Sequence, residues 1–161
     1  LRPCLIDTGV FLCLAFEDPG YRECGELLDQ AHQGRIGVVM SSLQLAELLT
    51  PFLRAGDAQG SGAIKEAVAA LKPRMRDVDG EIACRAAELR FSIRTPAGSW
   101  LALADSLILS TALTERVEVL YTTDIHFMQA RGVRVMAPQM GIEDWVKRYG
   151  TAGQRKALDL A

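Results

Sequence analysis

Short apolar runs and helical periodicities alternate along this chain. Pro3-Cys4-Leu5-Ile6 is apolar at successive positions, as in a strand buried on both faces, and the pattern turns helical at Thr8-Gly9-Val10-Phe11-Leu12, running to about Phe16. Glu17-Asp18-Pro19-Gly20 breaks it. Tyr21, Cys24, Leu27, Leu28 and Ala31 then recur at helical spacing up to Gly34. Ile36-Gly37-Val38-Val39-Met40 reads as a second buried strand, after which Ser41 and Ser42 offer caps for a helix over Leu43 to Arg54. Gly56 to Gly62 reads as a loop, Ala63 to Leu71 as a helix, and Met75 to Val78 as a weaker third strand. Asp79 to Phe91 is helical, with Ile82, Ala86 and Leu89 on one face. Ser92 to Ser99, with Pro96 and Gly98, is irregular and expected to be mobile. A helix over Ala104 to Glu115, a strand over Val117 to Thr122, a short helix from Ile125 to Ala130 and a strand at Val133 to Met136 follow.

Strands separated by helices call for a parallel sheet covered on both faces. The expected fold is therefore α/β: three layers, α/β/α, around a five-stranded parallel sheet over residues 1–138. Residues 139–161 add a short helix, Ile142 to Tyr149 with Trp145, and a polar tail from Gly150 to Ala161. A dimer arm or a partner-binding segment are alternatives for the tail, but its composition favours a disordered end.

Three further acids share the position of Asp7, at junctions between apolar segments. Asp7 stands where the first strand stops, at the carboxyl end of a central strand, where open α/β sheets bind ligands; capping the following helix is the plainer role for it. Glu47 lies in Leu43-Gln44-Leu45-Ala46-Glu47-Leu48-Leu49, flanked by apolar residues rather than set in a polar row. Asp105 opens the small and apolar helix Asp105-Ser106-Leu107-Ile108-Leu109-Ser110-Thr111-Ala112-Leu113, as a cap or as a ligand. Asp124 follows Thr122-Thr123 at the end of the fourth strand and repeats the Asp7 arrangement.

Carboxylates gathered at one sheet edge repel one another unless protonated or bridged by cations. An oxygen-only ligand set favours Mg2+ or Mn2+ over zinc. Composition adds weight to a cation. The chain has 161 residues, 49% of them apolar, and a net charge of −2, so binding nucleic acid through phosphates needs local help such as a bound metal or a basic rim. The chemistry natural to such a site is in-line attack of a metal-activated water on phosphorus.

These residues resemble the PIN-domain nucleases, in particular the toxin component of VapBC-type toxin–antitoxin pairs. The likeness runs from about Cys4 to Pro138 and is carried by Leu5-Ile6-Asp7-Thr8-Gly9-Val10, Ser41-Ser42-Leu43-Gln44-Leu45-Ala46-Glu47-Leu48, Ala104-Asp105-Ser106-Leu107-Ile108-Leu109-Ser110-Thr111-Ala112 and Thr122-Thr123-Asp124-Ile125-His126-Phe127. It implies a five-stranded parallel sheet between helices and an acidic quartet, here Asp7, Glu47, Asp105 and Asp124, that holds Mg2+ or Mn2+ for cleavage of single-stranded RNA. It also implies an antitoxin partner and a homodimer. Thr8 and Thr123 are then expected to support the ligands by bonding a carboxylate or a metal-bound water. The Pro- and Gly-rich Ser92 to Ser99 and the pair Ser110-Thr111 depart from the family pattern without touching a ligand position.

Other readings compete. Asp7-Thr8-Gly9 also matches the aspartic-protease signature, but that chemistry needs two carboxylates about 3 Å apart in an all-β setting, and here the motif opens a helix. A PIN-like module that binds RNA or protein without cutting is the stronger rival. His126 is read as a helix-start side chain at the rim rather than a catalytic group, and His32 is assigned no chemistry. Arg74, Arg76, Arg85, Arg90 and Arg94 read as a solvated basic face, with RNA contact as the alternative. Trp100 is read as a base-stacking, core or dimer residue. Cys4, Cys13, Cys24 and Cys84 lack zinc spacing and are expected to be buried, reduced thiols. With no apolar run near the roughly 18 residues of a membrane span and no signal-peptide features at the start, a cytoplasmic protein with no membrane partner is expected.

Overall fold

The structure, a computed structural model, describes residues 3–160. Leu1 and Arg2 of the expected domain, and Ala161 of the expected tail, lie outside them. Five strands form one sheet: β1 Pro3–Ile6, β2 Gly37–Ser41, β3 Arg74–Arg76, β4 Val119–Tyr121 and β5 Arg134–Met136. Their order is β3-β2-β1-β4-β5, with all neighbouring pairs parallel. Around them lie α1 Thr8–Ala15, α2 Tyr21–His32, α3 Ser42–Arg54, α4 Ala58–Ala70, α5 Gly80–Ser92, α6 Leu103–Thr114, α7 Ile142–Tyr149 and α8 Ala152–Asp159.

The period of two along the strands builds the layers. Cys4, Ile6, Val38 and Met40 point to one face, where they join Val10, Phe11, Leu27, Leu48 and Trp145. Leu5, Val39 and Leu120 point to the other, against Ile93, Leu101, Ile108 and Leu109. Leu5, Ile6 and Leu120 are fully buried, and each such side chain stabilises the fold by about 1.5–3 kcal/mol. β1 pairs with β2 on one side and β4 on the other, so the strand order reverses between β1 and β4. Such a reversal opens a crevice outside the carboxyl ends of the strands.

Several expectations are corrected. The helix expected from Ala63 begins at Ala58, because the Asp57 side chain accepts from the Gly60 N–H at 2.8 Å and draws the glycine-rich stretch into the first turn. β3 starts one residue earlier than expected and stops short of Val78, β4 is shorter at both ends, and the helix expected over Ile125 to Ala130 is a single 3-10 turn, Ile125–Phe127. Ser92 to Ser99 is not an open irregular stretch. Thr95 donates to Ser99 O and Gly98 to Thr95 O, each at 2.8 Å, and Arg94 pairs with Trp100. The tail expected to be disordered forms α8, started by a reciprocal Thr151–Gln154 capping box. Ala157 and Leu158 pack it against the core. Cys84 is exposed on α5, whereas Cys4, Cys13 and Cys24 are buried free thiols. Among the described residues no helix is long and apolar enough to cross a membrane.

Candidate active site

The crevice at the ends of β1 and β4 gathers the acids. Asp7 N donates to Tyr121 O at 2.8 Å, continuing the β1–β4 ladder, so Asp7 comes to lie beside Thr122. Its side chain is 7% exposed. Oδ1 accepts from the Thr8 N–H and Oδ2 from the Thr122 hydroxyl, both at 2.8 Å. Asp7 is thus a helix cap, as its plainer reading has it, and a member of the cluster as well.

Glu47 arrives through Gln44, a residue whose role the sequence does not announce. The fully buried Gln44 amide donates to Ile6 O at 2.8 Å, while its Oε1 accepts from Ser41 N at 3.0 Å. This clamps the first turn of α3 to the end of β1. Three residues further on, on the same helical face, Glu47 accepts from the Thr8 hydroxyl at 2.8 Å. The Thr8 hydroxyl thus bonds a carboxylate of the cluster. The Thr123 hydroxyl instead lies over Gly9, where a Cβ would approach it to 2.6 Å. The threonine bonded to Asp7 is Thr122, which also accepts from Asp124 N at 3.0 Å.

Asp105 occupies the first turn of α6, where a helix N-terminus favours an anion. The N-cap residue, Ala102, provides no side-chain bond there. Asp124 caps the 3-10 turn by accepting from His126 N at 3.0 Å. Between these two acids stands His126, its Nδ1 3.2 Å from Asp124 Oδ2 and 3.5 Å from Asp105 Oδ2. His126 lies in the 3-10 turn with its side chain 44% exposed, at the rim as expected, and from there its ring reaches both acids.

The electrostatics follow from burial and like charge. Burial pushes the Asp7 carboxyl up to about 7; the Thr122 and Thr8 bonds oppose the rise, and the nearby Asp105 and Asp124 charges add to it. Burial likewise raises Glu47, opposed by its Thr8 bond and assisted by Asp105. Asp124 is raised by burial too, against the His126 contacts. His126 is raised, first by its bond to Asp105 and then by the charges around it.

A hard divalent cation fits this chemistry. The donors are all carboxylate oxygens, they come from four separate segments, and the most buried of them is pushed up to about 7 by burial and by the neighbouring acids, a rise that a bound cation would oppose. The side chains are not drawn into a finished cage: among the described residues no three Asp, Glu, His or Cys groups enclose a ready ion position. Their oxygens are engaged by Thr8, Thr122 and His126 instead. Of the other residues weighed from the sequence, His32 sits in the last turn of α2. Arg74 and Arg76 pair with Glu115, and Arg85 donates to Thr114. Arg94 stacks on Trp100, 3.4 Å from its ring centroid, and Trp100 packs edge-on to Phe91.

Fold and site together define a doubly wound α/β domain with an acidic cluster at its switch point. The PIN domain family profile matches residues 4–133, and the chain belongs to the PIN domain family. Its fold is shared by several solved structures. A toxin–antitoxin complex from Klebsiella pneumoniae matches at 23% identity and a TM-score of 0.62, over 85% of this chain and 98% of that one. FitAcB from Neisseria gonorrhoeae matches at 22% and 0.64, over 84% and 97%. The sarcin-ricin loop cleaving toxin VapC20 of Mycobacterium tuberculosis matches at 18% and 0.63, over 81% and 98%. No curated protein sequence matches the chain.

Proposed function

We propose that this protein is a Mg2+- or Mn2+-dependent ribonuclease that hydrolyses phosphodiester bonds of single-stranded RNA, and that it serves as the toxin of a toxin–antitoxin pair. One observation carries the reading: four acids far apart in sequence, Asp7, Glu47, Asp105 and Asp124, meet at the carboxyl ends of β1 and β4, and Asp7 there lacks a compensating charge. Membership of the PIN family and the likeness of fold to toxin–antitoxin proteins support it.

In this reading Asp7, Glu47, Asp105 and Asp124 hold the cation and are the catalytic residues. The metal supplies a more acidic water and a positive charge for the phosphoryl oxygens. The chain's own residues do the positioning. Thr122 and the Thr8 N–H fix both oxygens of Asp7, and the Thr8 hydroxyl fixes Glu47. His126 Nδ1 lies between Asp105 and Asp124, within reach of an oxygen of each, and orients the two acids toward one another.

The partners follow from the charge. A cluster this acidic is blocked by a cation, so the antitoxin is a small protein that places Arg or Lys among the four acids. The protein itself acts as a homodimer in the cytoplasm. The experiment is cleavage of single-stranded RNA with Mg2+ or Mn2+ and with EDTA. Cleavage that chelator stops is expected; cleavage that persists in chelator overturns the metal assignment. RNA binding without cleavage under any divalent cation would favour the non-catalytic PIN-like module.

A further inference from the structure

The acidic crevice does not end at Gly9. A cavity of about 480 Å3 continues from Gly9 and Thr123, along Asp18, to Tyr149, Thr151 and Gln154 on α7 and α8. Its near end belongs to the site: a Cβ placed on Gly9 would lie 3.7 Å from Asp7 Oδ2, and Thr123 stands between Thr122 and Asp124. Its far end is built by residues beyond the 4–133 span that the family profile matches.

The α7–α8 hairpin is fixed firmly in place. Gly20, at φ 93°, leaves room for the Trp145 ring, which a Cβ there would meet at 2.3 Å. The Tyr149 hydroxyl donates to Glu23, and Arg155 Nη1 donates to Gly150 O. Yet the hairpin leaves the cavity open and lines it with the Trp145 and Tyr149 rings beside the polar Thr151 and Gln154. The capping box uses Gln154 Oε1, which accepts from Thr151 N at 2.9 Å, and so leaves the Gln154 Nε2 donors for another partner. The Asp18 carboxylate offers acceptors across the cavity. Donor and acceptor beside an aromatic ring are what a nucleobase edge and face require. The same hairpin has charge for the backbone: Lys147, Arg148, Arg155 and Lys156 are four exposed cations within ten residues that contain no acid, close in sequence to the cavity-lining Trp145, Tyr149 and Gln154, on a chain of net charge −2.

We propose that this cavity is a nucleotide subsite, taking one base of the single strand next to the bond that is cut, with Gln154 and Asp18 reading its edge and the α7–α8 cations holding the adjoining phosphates. The proposal rests on the ribonuclease reading above. It assigns the C-terminal hairpin to substrate selection rather than to catalysis. A lining of mixed aromatic and polar groups, with exposed cations on the same hairpin, favours nucleic acid over an apolar peptide segment.

The test uses the full chain carrying Asp7→Asn, so that the strand is bound and not cut, and a short fluorescein-labelled single-stranded RNA of random sequence read by anisotropy. Gln154→Trp, which fills the cavity, is expected to weaken binding about tenfold, the scale of one lost base stack. Arg155→Gln is expected to lower the slope of log affinity against log salt by about 0.7, as one lost phosphate contact does, and Lys65→Gln, at an exposed position on α4, serves as the control. In the otherwise unaltered enzyme, Gln154→Ala is expected to relax the base preference at one position beside the cut. Equal melting temperatures exclude unfolding as the cause.

Unchanged affinity in Gln154→Trp together with an unchanged cut preference in Gln154→Ala overturns the subsite. So does a Gln154→Trp protein that keeps its RNA affinity but no longer binds the product of a neighbouring gene, which would give the cavity to a protein partner. A parent chain that cuts RNA while these variants behave as the parent refutes the subsite alone; a parent chain that neither cuts nor binds RNA refutes the ribonuclease reading and the subsite with it.

Discussion

Replacing Asp7 by Asn should make the metal-free protein more stable at alkaline pH while destroying its activity. Asp7 is buried beside Asp105 and Asp124, and its carboxyl titrates near 7 rather than at its ordinary 3.8. A group raised in the folded state favours folding fully below its unfolded value, and that contribution is lost as pH climbs through the folded value. Above pH 7 the ionised side chain therefore opposes folding by about 4 kcal/mol, at about 1.4 kcal/mol per pH unit of displacement. Asn removes this charge but accepts only one of the two bonds Asp7 receives from the Thr8 N–H and the Thr122 hydroxyl, which costs about 1 kcal/mol. The net gain at pH 8 is about 3 kcal/mol, or roughly 6–12 °C in Tm for a chain of this length. The assay is thermal melting of both proteins in EDTA across pH 4 to 8. Asp7→Asn should melt higher at pH 8, the advantage should shrink as pH falls below 7, and near pH 4 wild type should be equal or better. An Asp7→Asn protein that melts at or below wild type at pH 8 refutes the claim that Asp7 is an uncompensated buried charge.

Two further substitutions probe the supports. Thr122→Val removes the hydroxyl that bonds Asp7 Oδ2 and accepts from Asp124 N; it should cost about 1–3 kcal/mol in chemical denaturation and lower cleavage more than it lowers RNA affinity. Gln44→Leu leaves Ile6 O and Ser41 N without partners in the buried first turn of α3. It should cost about 2–4 kcal/mol and reduce cleavage through misplacement of Glu47, which kinetics at a temperature where the variant stays folded will show.

The layered fold was legible because β1, β2 and β4 are short apolar runs in a sheet covered on both faces, and their shortness and their flanking breaks separate them from the helices. The acids Asp7 and Asp124 were legible because each ends such a run. What escaped depends on contacts across the chain. Thr122 and Thr123 are equivalent in sequence, and only the pairing of Ile6 with Tyr121 turns Thr122 toward Asp7. His126 joins the cluster through a 3-10 turn whose tightness no local pattern announces. Gln44 reads as an ordinary polar position until its amide is seen bridging Ile6 and Ser41. The helix α8 was readable in principle: Thr151-Ala152-Gly153-Gln154 is a capping-box pattern, masked by the polar composition that follows it. The early start of α4 was signalled by Asp57 and hidden by Gly60 and Gly62.

Whether Asp7, Glu47, Asp105 and Asp124 share one cation decides the metal assignment. Calorimetric titration of Mn2+ into the wild-type protein, Asp7→Asn, Glu47→Gln, Asp105→Asn and Asp124→Asn at pH 8 measures this without RNA. Wild type should bind the ion, with a matching rise in Tm, and each variant should bind it at least about tenfold more weakly, a loss of about 1.4 kcal/mol. Mn2+ affinity in Asp7→Asn equal to that of wild type would contradict it.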